Sequence, residues 1–170
     1  VEADDSIIDL TKARLPWLVL ALLGGFVTVK VLGLFEPAME EHGKLFFFTP
    51  LIAAMAGNVG VQSSAIIVQG LANNSLSGSL FNRLVKEVLL SLLNGVILAI
   101  ILFLGSHFLL NVEFIIGFIV TIALVSVIII ASLIGTFIPL LLDKFGIDPA
   151  LATGPFITTS NDICGILIYF

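Results

Sequence analysis

The stretch from Gly154 to Gly165, GPFITTSNDICG, holds the side chains best suited to chemistry, because it sets a carboxylate, Asp162, inside an otherwise apolar segment. Asp162 lies about a dozen residues past Pro149. At about 1.5 Å of rise per residue that is roughly 18 Å into a helix starting there, near the middle of a hydrocarbon layer about 30 Å thick. An Asp at that depth costs about 2.5 to 3.5 kcal/mol, so such residues face a bundle interior, a partner or a water-filled path. Helical spacing puts Gly154, Thr158 and Asp162 on one face, with Asn161 and Gly165 beside it. Two roles fit this pattern. Asp162 either offers oxygen to a cation on a transport path or only hydrogen-bonds another helix.

A second polar interruption lies upstream. The apolar run from Leu45 to about Leu71 contains Pro50 and Gly57-Asn58-Val59-Gly60-Val61-Gln62-Ser63-Ser64. Small residues there would let helices approach closely. Alternatively Asn58, Gln62 and Gln69, near one face, offer carbonyl oxygens to a hydrated cation or to the helix bearing Asp162. Pro50 removes a donor and leaves the Phe46 carbonyl without its i+4 partner, which at membrane depth is tolerated only inside protein or at water. A broken helix beside a buried acid points to a pathway. Glu87, spaced to meet Arg83 one turn earlier, is either a solvated charge or a residue at the mouth of such a pathway. Lys30 either snorkels to headgroups, pairs with an acid or lines the path. Cys164 is the single cysteine, which excludes an intrachain disulfide, and His42 and His107 fall in or near loops, so a zinc or copper cage is not expected.

The elements that must position these residues are read from composition. Of 170 residues 59% are hydrophobic and 11% charged, and the mean hydropathy is +1.21, which places the chain among integral membrane proteins. The net charge of −5 sits mainly in the N-terminal segment and loops, and nothing in it supports nucleic-acid binding. Residues Val1 to Lys12, with Glu2, Asp4, Asp5 and Asp9, predict a short amphipathic helix outside the bilayer. Five spans follow: Leu15 to Phe35, opened by Pro16 and Trp17; Leu45 to about Leu71; Leu84 to Leu109; Phe114 to Leu142, an aliphatic scaffold; and Pro149 to Phe170, led by Gly146 as a C-cap residue and Asp148 as N-cap. Pro155 lies inside the last of these and frees the Leu151 carbonyl. This is an all-α membrane fold in which residues 1–13 connect to residues 14–170. Alternation gathers Lys12, Arg14, Arg83, Lys86 and Lys144 on one side against Lys44 on the other, predicting a cytoplasmic N-terminus and an extracytoplasmic C-terminus in the cell membrane.

Arg14-Leu15-Pro16-Trp17, Pro50 with Gly57-Asn58-x-Gly60-x-Gln62-Ser63, Lys86-Glu87, Gly146-x-Asp148-Pro149-Ala150 and Asp162-x-x-Gly165-x-x-Ile168-Tyr169 follow one another in this order. Through them the chain, from Arg14 onward, resembles the membrane domain of the MgtE family of magnesium channels and transporters. The resemblance implies a homodimer with a central pore lined by spans two and five. It makes Asp162 the pore aspartate and the carbonyl of Thr158, one turn earlier, its companion metal ligand. Gly154, Asn161, Gly165, Gly57, Asn58 and Gln62 would line that pore. In typical members a cytoplasmic N-terminal domain and paired CBS domains precede the pore and close it when internal magnesium is high. Residues Glu2 to Asp9 would fall where their connecting helix ends, so a pore domain from a longer channel, or a short natural member, is expected.

The ion chemistry agrees with that resemblance. Mg²⁺ dehydrates reluctantly and is held through its waters by one or two carboxylates, so one Asp per subunit with carbonyl and hydroxyl oxygens suits a mostly hydrated ion. An intramembrane hydrolase would need a carboxylate dyad or a nucleophile with a nearby base, and one mid-membrane Asp without a mid-membrane His argues against an enzyme. An ion-coupled secondary transporter of divalent cations and a non-conducting assembly module remain as alternatives.

Overall fold

The computed structural model describes residues 6–76 and 78–170, with the backbone alone at 151 and 152. Glu2, Asp4 and Asp5 of the acidic segment lie outside the described residues. Seven helices follow in order: α1 (Ile7–Gly33), α2 (Glu36–Glu41), α3 (Gly43–Phe46), α4 (Thr49–Ala72), α5 (Leu80–Phe108), α6 (Phe114–Lys144) and α7 (Pro149–Tyr169). No strand occurs among the described residues. Among the described residues four stretches are long and apolar enough to cross a membrane: Ile7–Gly33, Gly43–Ala72, Leu80–Phe108 and Phe114–Lys144. α7 has 21 residues, and at about 1.5 Å per residue it reaches about 30 Å.

Two expected helix boundaries differ from those found. The Ser6 side chain accepts the Asp9 N–H and caps a single helix that runs through to Gly33, so the acidic segment from residue 6 and the first span are continuous. Pro16 therefore sits in the helix interior instead of its first turn. Its ring removes the N–H that would meet the Lys12 carbonyl, yet the helix runs through it unbroken. Pro50 does not break the second span. It occupies the first turn of α4, where a missing N–H costs nothing, and the break falls earlier, at Phe47 and Phe48. From Thr49 to Ala72 α4 is continuous through all its glycines.

The α6–α7 turn follows the sequence closely. Gly146 takes a positive φ of +71° just past the end of α6, and the Asp148 carboxylate accepts the Ala150 N–H at 2.9 Å as Pro149 opens α7.

The aliphatic α6 is the central post, against which α4, α5 and α7 pack, while α7 also contacts α4 and α1. Val120, Leu124, Val127, Ile128 and Ala131 of α6 meet Phe48, Ile52 and Ala56 near the α4 N-terminus, and Tyr169 closes the cluster. Close approach depends on small residues at two points. A methyl on Gly135 would fall 2.4 Å from the Gly60 carbonyl oxygen, so α4 and α6 touch backbone to backbone. A methyl on Gly24 would fall 2.3 Å from Thr159 Cγ2, which seats α1 on α7. Trp17 against Phe156 and Phe35 against Phe170, with ring centroids 6.3 and 5.4 Å apart, extend that seam. No residue of α1 is fully buried.

Candidate functional site

Asp162 is half-buried on α7, in line with exposed Thr158 and Gly154 one and two turns earlier. Among the described residues it makes no hydrogen bond and no ion pair. On α4, Asn58, Gln62 and Gln69 are all exposed along one strip, as their spacing predicts, and Gly57 borders it with open space where a side chain would begin. The face of α7 carrying Asp162 and the strip on α4 belong to two helices that pack directly on each other. Gly154 likewise has open space at its Cα.

Asn161 and Gly165 do not share that face. Asn161 is 1% exposed, and its Nδ2 donates to the Ala56 carbonyl of α4 at 3.1 Å. It fits there because Gly60 has no side chain: a methyl on Gly60 would lie 2.1 Å from the Asn161 amide nitrogen. Gly165 is buried at van der Waals distance from Val127 of α6 and Ala56 of α4. The physical reason is the turn of about 100° per residue: α4 and α6 both press on α7 from the side next to Asp162, which draws Asn161 and Gly165 into the packing. The small residues and the amides of α4 lie on opposite sides of one helix. Gly60 serves close packing, while Asn58 and Gln62 face outward.

Glu87 does not join Asp162. It is half-buried between α5 and α4, where its carboxylate accepts a hydrogen bond from Ser63. Lys30 is exposed in the last turn of α1, and Lys44 pairs with Glu113 at 3.1 Å across exposed loops. Among the described residues no group of three or more His, Cys, Asp or Glu side chains could hold a metal. An ion at Asp162 would thus meet one carboxylate and neutral oxygens from a single chain.

Several tertiary ties escape sequence reading. The Tyr169 hydroxyl donates to the Leu45 carbonyl and fastens the end of α7 to α3. The Asn161–Ala56 bond joins α7 to α4, and the Ser63–Glu87 bond joins the consecutive helices α4 and α5. Their one advance signal is a small residue spaced to admit a polar side chain, as Gly60 admits Asn161.

The divalent cation transporter family MgtE matches this chain over residues 49–170, which include all of α4 to α7. The chain belongs to the MgtE family. It is 37% identical over 158 residues to the magnesium transporter MgtE of Bacillus subtilis, covering 92% of this chain and 35% of that protein. It is 38% identical over 174 residues to the magnesium transporter MgtE of Enterococcus faecalis, covering 99% and 37%. With the magnesium transporter MgtE of Thermus thermophilus it shares 35% identity over 168 residues, covering 95% and 36%. The chain spans roughly a third of the length of these relatives.

Proposed function

We propose that this chain conducts Mg²⁺ across the cell membrane through a pore between two copies, with a largely hydrated ion held at Asp162 and the carbonyl of Thr158. The observation that carries this reading is the contrast between two adjacent residues. Asn161 is consumed in holding helices together, whereas Asp162 stands half-exposed without a partner among the described residues. An acid kept unpaired at membrane depth is costly, and a cation repays that cost. In this reading α7 is the fifth span, the N-terminus is cytoplasmic, and Gly154, Gly57, Asn58 and Gln62 line the path beside Asp162. Cytosolic regulatory domains, as in the family's longer members, would act from the N-terminal side. Membership of the MgtE family and the magnesium transport named for its relatives support the choice of ion.

The test is Mg²⁺ flux into proteoliposomes for the wild-type chain beside Asp162→Asn. Asn keeps the shape and a carbonyl oxygen but removes the charge, so flux should fall by at least about tenfold, the equivalent of about 1.4 kcal/mol. Unchanged flux with intact protein would move the ion site elsewhere, first to Asn58 and Gln62.

A further inference from the structure

The side of the bundle away from α7 holds a polar cluster that the pore reading does not use. α5 and α6 run antiparallel, and three contacts fix their register. Ser91 hydrogen-bonds Ser132, Gly95 faces Ile128 at 3.9 Å, and Gly117 faces Ser106 at 3.0 Å, each distance measured from a Cβ placed on the glycine. Each step of four along one helix meets a step of four back along the other. One turn toward the start of α5 from the Ser91–Ser132 pair, this register sets Glu87 opposite Thr136. Thr136 is 0% exposed, and its hydroxyl has no hydrogen-bond partner among the described residues. Glu87 accepts from Ser63, itself 5% exposed, on the third helix of the junction. Ser91 gives its hydrogen to Ser132, and Ser132 gives its own to the Ile129 carbonyl, so the Ser91 oxygen still has acceptor capacity.

We propose that Glu87, Ser63, Thr136 and Ser91 form a sodium-binding site at the α4–α5–α6 junction, separate from Asp162. The donor set is all oxygen, which selects a hard cation over a soft one. It carries one carboxylate, which balances one positive charge. A divalent ion there would leave an uncompensated charge in a low-dielectric interior. Ligation directly by protein oxygens requires an ion that sheds its waters, which Mg²⁺ gives up reluctantly. The buried Thr136 hydroxyl, otherwise a cost to the fold, gains a partner when the ion binds. The proposal does not rest on the role assigned to Asp162.

The experiment is equilibrium binding of radioactive Na⁺ to the purified full chain in detergent, with thermal unfolding measured in NaCl and in choline chloride of equal ionic strength. Wild-type protein should bind Na⁺ saturably and unfold at a higher temperature in NaCl. Glu87→Gln and Thr136→Val should each weaken Na⁺ binding by about tenfold or more, while Asp162→Asn should retain it. Glu87→Asp should restore part of the loss. Wild-type protein with no saturable Na⁺ binding and no Na⁺-specific thermal shift would overturn the proposal, and that arm stands even if a variant fails to fold. Loss of Na⁺ binding in Asp162→Asn, or wild-type binding in both junction variants, would equally overturn it.

Discussion

Adjacent residues take opposite work in α7. Asn161 turns into the junction with α4 and α6, and Asp162, one position on, stays on the open side. The arrangement depends on hydrogen atoms at Gly60 and Gly135. Gly60→Ala would drive a methyl into the Asn161 amide and the Ile157 Cγ2 methyl, side-chain ends that can shift in part, and should cost about 1 to 3 kcal/mol. Gly135→Ala meets the Gly60 backbone, which cannot yield, and should cost more. Gly57→Ala meets nothing and, by helix propensity, should leave stability unchanged or raise it by up to about 1 kcal/mol. Thermal unfolding in detergent, followed by a thiol dye reacting with the half-buried Cys164, measures all three. Equal effects at Gly57 and Gly60 would contradict the division. That Asp162 falls within an apolar helix was legible in the sequence, because the surrounding run of apolar residues can be read without knowing the packing. Which flank of Asp162 faces inward was not, since a helical wheel orders residues by angle but cannot say where α4 and α6 will press.

At the level of helices, local chemistry was readable where it is self-contained. The turn before α7 needs only Gly146, Asp148 and Pro149, and the structure forms it as their types require. Asp148→Ala removes the acceptor for the Ala150 N–H and should lower stability by about 1 kcal/mol, read as a fall in the unfolding midpoint. No fall would show that the α7 start is held by packing alone. Pro16 and Pro50 were read as boundaries of the wrong kind, because a proline marks a missing donor and the rest of the chain decides whether a helix starts, continues or bends there. Ser6 starts α1 ten residues before Pro16, and Phe48 precedes an α4 that takes Pro50 into its first turn. The interior tie between Ser63 and Glu87 was illegible for another reason: α4 and α5 must both be packed on α6 before either residue has a partner.

For the whole molecule, a post of aliphatic residues, α6, carries α4 and α7, which also pack on each other, while α1 lies against α7 and buries little of itself. A large exposed apolar surface of this kind is what lipid or a second copy covers. With α7 as the fifth span, cysteines introduced near Glu40 and Asn74 should react with impermeant reagents from opposite sides of the membrane, and labelling of both from one side would contradict the topology. The central claim is that two Asp162 carboxylates share one ion across a two-fold axis. Counting Mg²⁺ ions bound per chain, by titration calorimetry on protein of measured mass in lipid nanodiscs, tests it most directly. The account predicts one Asp162-dependent ion for every two chains, absent in Asp162→Asn, whereas one such ion per chain, or a stoichiometry untouched by Asp162→Asn, would contradict it.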